Sequence, residues 1–178
     1  MQIDSSTPPL ARPIQWVIIL FMSLIAFITY AMHYDEMFFP NADSPWHLAA
    51  GDLIRELGHV PMYDPWAFTN NDTIWYNMAW LYDVLISYIN SWFGLEILHV
   101  VHIFFGAVLI GLIAKCCFVR GAGVFATIIA VGLATLTIAP DLQIRPQLFS
   151  VLLAALSYLW LMENRQAPTK KIWLLPLM

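Results

Sequence analysis

A chain of 178 residues that is 60% hydrophobic and 15% aromatic but only 11% charged falls outside the ordinary soluble class, in which about 25% of residues are charged. It reads as an all-α integral membrane protein. The net charge of -4 comes with no basic stripe, which excludes nucleic acid as a partner.

Residues 1–12 are rich in Ser, Thr and Pro and read as a short cytoplasmic tail. Residues 14–33 form the first span, about 30 Å at the helical rise, with Trp16 and Tyr30 placed as interfacial belts. The run has no small-residue cleavage site, so it is expected to remain as an anchor. A large outer loop follows over 34–93. Within it, Trp46, Ala50, Leu53, Ile54 and Leu57 repeat at helical spacing, predicting an interfacial amphipathic helix over 45–57 that Gly58 ends. Pro61, Pro65 and the polar residues around Asn71 predict ordered turns carrying Trp66, Phe68, Trp75 and Tyr76. A second interfacial helix is expected over 79–93, with Trp80, Leu81, Val84, Leu85, Tyr88, Ile89 and Trp92 on its apolar stripe. Asp83, Ser87, Asn90 and Ser91 fall on the opposite, polar face.

Three further spans are expected over 95–118, 121–139 and 146–162, making four complete transmembrane helices. Cys116 and Cys117 lie at the inner end of one of them, suited to packing or to a lipid. Residues 172–178 open a fifth span, whose seven residues reach only about 10 Å into a core of about 30 Å. The chain is therefore expected to be the N-terminal part of a larger protein and inactive alone.

The basic residues orient the chain. With a cytoplasmic N-terminus, Arg12, Lys115, Arg120, Arg165, Lys170 and Lys171 lie inside, while Arg55 and Arg145 lie outside. Ten of the twelve acids are then outside, among them Asp43, Asp83 and Asp141. The large loop and the loop holding Asp141 and Arg145 share the extracytoplasmic face.

Asp43 is the centre of the first loop. Ser44 can cap a helix and Pro45 suits its first position, so Asp43 is placed just outside the helix N-terminus, where the dipole stabilises a carboxylate. That position serves a reactive carboxylate and a plain cap alike. Arg145, beside Pro146, suits either a phosphate clamp or an anchor to lipid headgroups. Asp141 can pair with Arg145. His47 can be a metal ligand, a polar contact or a surface histidine.

The stretch DSPWHLAAGDLIRELGHVPMYDPWAFT, followed by WYNMAWLYDVLISYI and RPQLFSVLLAAL, resembles bacterial members of the GT-C superfamily of membrane glycosyltransferases. The likeness covers most of 34–161. It implies transfer of a sugar from a polyprenyl-phosphate donor to an acceptor at the outer face of the bacterial cytoplasmic (inner) membrane. It makes Asp43 the catalytic residue, as base or as ligand of a divalent metal ion. Asp141 and Arg145 match the family's acidic and basic groups of later outer loops and become donor- and phosphate-binding residues, with His47 as a further candidate beside them, and a lipid-linked sugar and membrane lipids become the partners.

A different class rests on Glu96, His99 and His102, which recur every three residues near the outer end of the second span. With His33 they suggest a haem- or metal-binding electron-transfer subunit. A transporter is disfavoured by spans that stay apolar through their centres.

Overall fold

The structure, a computed structural model, describes residues 10–32, 43–66, 74–138, 144–166, 170 and 173. Among them are six helices and no strand: α1 (Arg12–Met32), α2 (Asp43–Leu57), α3 (Trp80–Phe93), α4 (Leu95–Val119), α5 (Val124–Ile138) and α6 (Gln147–Gln166). Two of these, α1 and α4, are long and apolar enough to cross a membrane. α5 is apolar but shorter, and α6 ends in a polar turn. His33, Asp141 and, apart from the exposed Trp173, the residues of the expected fifth span lie outside the described residues.

α4 is the central helix. α1, α5 and α6 pack along it, and α3 meets it through Ile86 and Leu98. Ile19, Met22, Ala26 and Tyr30 of α1 close on Ile103, Ile110 and Ala114 of α4, joined by Val131 and Leu148. A Cβ at Gly111 would lie 2.6 Å from Ser23 Oγ, so a residue without a side chain lets α1 and α4 approach closely. Hydroxyls in α5 are satisfied locally: Thr127, Thr135 and Thr137 each donate to the carbonyl four residues back.

The outward faces remain apolar. Val17, Leu20, Phe21 and Leu24 of α1 are exposed, as are Phe125, Ile128, Leu133 and Leu136 of α5. A surface of this extent belongs against lipid or against other helices.

Several boundaries differ from the sequence-based expectation. α2 begins at Asp43, which lies inside the first turn and not ahead of it. Ser44 does not supply a cap; its hydroxyl donates to Ile144 O at 3.3 Å. α5 starts three residues later than expected because Gly121, at φ 81°, forms the turn out of α4. α6 extends one turn past residue 162. A 2.8 Å ion pair between Glu163 and Lys115 of α4 holds that last turn.

The largest correction concerns the pair of helices α2 and α3. α2 buries His47, Ala50, Gly51 and Ile54, while Leu57 of its expected apolar face is exposed. α3 buries Asp83, Ile86 and Ser87. Asp83 and Ser87 of its expected polar face are thus at the α2–α3 contact, while Ser91 stays exposed, and Trp80, Leu81, Leu85, Tyr88 and Trp92 of the apolar stripe are exposed as well. At Gly51 a Cβ would sit 2.0 Å from the Asp83 carbonyl oxygen, so the two backbones nearly touch.

Candidate functional site

Two ends of the fold that are far apart in sequence meet at one rim of the bundle. The first is the start of α2; the second is the segment leading into α6. Arg145 Nη2 lies 2.7 Å from Asp43 Oδ2, and Ser44 is bonded to Ile144, 100 residues away. The two side chains are partly exposed, Arg145 at 36% and Asp43 at 54%, so the pair itself adds little to stability. Its significance is placement. α2 starts at Asp43, and α6 starts two residues beyond Arg145. Two helix N-termini and a guanidinium therefore face one small region, a setting that favours anions.

Beneath this pair is a buried polar network. His47 Nδ1 is 2.7 Å from Asp83 Oδ1, and Asn77 Nδ2 donates to Asp83 Oδ2 at 2.7 Å. Asn77 Oδ1 accepts the backbone N–H of Ala79 at 3.0 Å, which fixes the orientation of its amide. The carboxylate of Asp83 is fully buried, so these bonds replace its water. Next to it, Tyr82 OH lies 3.0 Å from His102 Nε2, and His102 Nδ1 donates to Leu98 O at 2.6 Å. Burial, with the Asp83 charge adding to it, pushes the Tyr82 phenol well above its ordinary pKa. It therefore keeps its proton and donates it to His102.

His47 is thus not a surface histidine. It is a buried residue of α2, held edge-on between the rings of Trp46 and Tyr82 at 5.1 and 5.5 Å. Trp46 in turn stacks edge-on against Trp66 and Trp75, and Tyr63 pairs with Ile74 in an isolated antiparallel bridge. Turns are present near Pro61 and Pro65, while the polar cluster of residues 70–73 lies outside the described residues.

Of the other expected site residues, Asp141 lies outside the described residues. The described partner of Arg145 is Asp43. Glu96 is exposed, while His99 and His102 are buried and bonded to backbone carbonyls one turn back. Both ring nitrogens of His102 are thereby engaged within the protein. No three His, Cys, Asp or Glu gather as a metal-binding group among the described residues.

Asp83 and Asn77 were not singled out from the sequence. The available signal was Gly51, since a glycine inside a helix costs about 1 kcal/mol relative to alanine and so calls for a packing reason. No protein-family model, curated protein or solved structure matches this chain.

Proposed function

We propose that this chain is part of a GT-C-type membrane glycosyltransferase that transfers a sugar from a polyprenyl-phosphate donor at the outer face of the bacterial cytoplasmic membrane. In this reading α1, α4, α5 and α6 all cross the membrane, and α2 and α3 lie at its outer interface. The exposed aromatic stripe of α3 suits that interface. The observation that carries the proposal is the 2.7 Å pair of Asp43 and Arg145, built from two separate loops at the rim of an apolar bundle.

The chemistry follows from the charges. The departing phosphate develops negative charge, and the planar fork of Arg145 receives it, assisted by the N-termini of α2 and α6. A phosphate approaching Arg145 competes with Asp43 for the same guanidinium. Until then Asp43 holds the Arg145 fork in place for that phosphate.

The test is the affinity of the purified chain in lipid nanodiscs for a C55 polyprenyl monophosphate. Arg145→Ala should weaken binding about 10–100-fold, the worth of a charge-assisted bond of about 1.5–3 kcal/mol. Unchanged affinity would leave Arg145 as a headgroup anchor.

Topology gives a second test. With Cys116 and Cys117 replaced by Ser, a cysteine introduced at Met62 should react with an impermeant maleimide in intact cells. One introduced at Arg165 should react only after lysis. The reverse pattern would put the pair of Asp43 and Arg145 in the cytoplasm and remove the proposal.

A further inference from the structure

Asp43 is engaged by Arg145, whereas a second group near it has the geometry of a proton acceptor. Asp83, as a carboxylate, can only accept hydrogen bonds, so His47 Nδ1 must donate to it. In the neutral ring that arrangement fixes the tautomer, with the lone pair on His47 Nε2. Nε2 meets no hydrogen-bond partner among the described residues, and the His47 side chain keeps 11% of its surface exposed. His47 lies one helical turn from Asp43, a spacing that brings Cβ atoms to about 5–6 Å. A histidine whose far nitrogen is held by a buried carboxylate, itself held by Asn77, is aligned as a general base usually is.

We propose, building on the glycosyl-transfer reading above, that His47 receives the proton of the acceptor hydroxyl and that Asp83 and Asn77 are its positioning residues. The acceptor oxygen bonds to the anomeric carbon of the sugar as the bond from that carbon to the phosphate oxygen breaks. The electron pair of that bond leaves on the phosphate, beside Arg145. The hydroxyl proton passes to His47 Nε2, and the imidazolium so formed is stabilised by Asp83. Tyr82 does not compete for the proton, because its hydroxyl is committed to His102.

The experiment uses membranes whose only copy of the protein carries the substitution, supplied with a panel of C55 polyprenyl-phosphate-linked hexoses and pentoses, with sugar transfer or release read by mass spectrometry. His47→Ala should lower kcat about 100-fold with little change in KM for the donor, and added imidazole should restore at least a tenth of the lost rate. Asp83→Asn should lower kcat in the same way. Arg145→Ala should raise KM and gain nothing from imidazole. Diethyl pyrocarbonate should modify His47 in the unaltered protein, as located by peptide mapping. An inert His47 would overturn the proposal without any variant being made. So would a His47→Gln protein with full kcat, or a His47→Ala defect that imidazole leaves untouched while the unfolding temperature is unchanged. If those variants behave normally but Arg145→Ala still weakens donor binding, the base assignment alone falls. If the unaltered protein transfers none of the sugars, the glycosyl-transfer reading falls with it.

Discussion

Asp43→Asn should lower sugar transfer by about 100-fold or more, the scale expected of an acid–base or charge-positioning carboxylate at a reacting centre. The assay is transfer from polyprenyl-phosphate donors in membranes whose only copy of the protein carries the substitution. The amide keeps the shape of the side chain and the start of α2. It removes the charge that faces Arg145 Nη2 at 2.7 Å. Because the two groups are partly exposed, the loss of the pair should change stability by no more than about 1 kcal/mol. Expression and thermal unfolding should therefore stay close to wild type while turnover falls. Turnover near wild type would reduce Asp43 to the first residue of a helix.

The long apolar helices were legible because they depend on local composition. Long apolar runs such as those of α1 and α4 need no partner to be recognised. The meeting of Asp43 and Arg145 was half legible: segregation of charge put their loops on one side, but nothing local specified a contact between them. The orientation of the helices in the outer loop was not legible. A periodicity argument assigns the polar face of an amphipathic helix to water. In α3 that face has another helix against it, and Asp83 and Ser87 find their partners there in His47, Asn77, Arg55 and Asp52. With the polar face buried, the apolar stripe of Trp80, Leu85 and Trp92 is left outside, which suits a surface that contacts lipid and not a core. The added turn of α6 escaped for the same reason, since Glu163 is held by Lys115 from another helix.

Gly51→Ala should be the most destabilising single-methyl change among the described glycines of the helices. The added Cβ would lie 2.0 Å from the Asp83 carbonyl oxygen, 2.5 Å from its carbon and 2.7 Å from Ser87 Cβ. Two of these atoms are backbone, so no rotamer change relieves the clash, and α2 must move away from α3. The same movement stretches the 2.7 Å bond between His47 and Asp83 and opens the seat of Arg55 on Ser87, now 2.8 Å. Leaving Asp83 buried with only Asn77 costs about 1–3 kcal/mol, the range for a buried acceptor that loses a hydrogen-bond partner. Gly132→Ala is the control. Gly132 is inside α5 with nothing near its missing Cβ, so alanine there should be neutral or stabilise by up to about 1 kcal/mol. Gly58→Ala separates backbone strain from crowding: it has open space but a φ of 71°, and should cost about 1 kcal/mol. Unfolding in detergent should rank Gly51→Ala well below Gly58→Ala, and Gly58→Ala below Gly132→Ala. Protease should cut first in the loop between α2 and α3 of the Gly51 variant, because that loop is held in place through Trp46 of α2. Equal stability of the Gly51 and Gly132 variants would mean that α2 does not pack on α3 at this distance. Asp83 would then have no protein shield from water, and the histidine base would lose the carboxylate that aligns it.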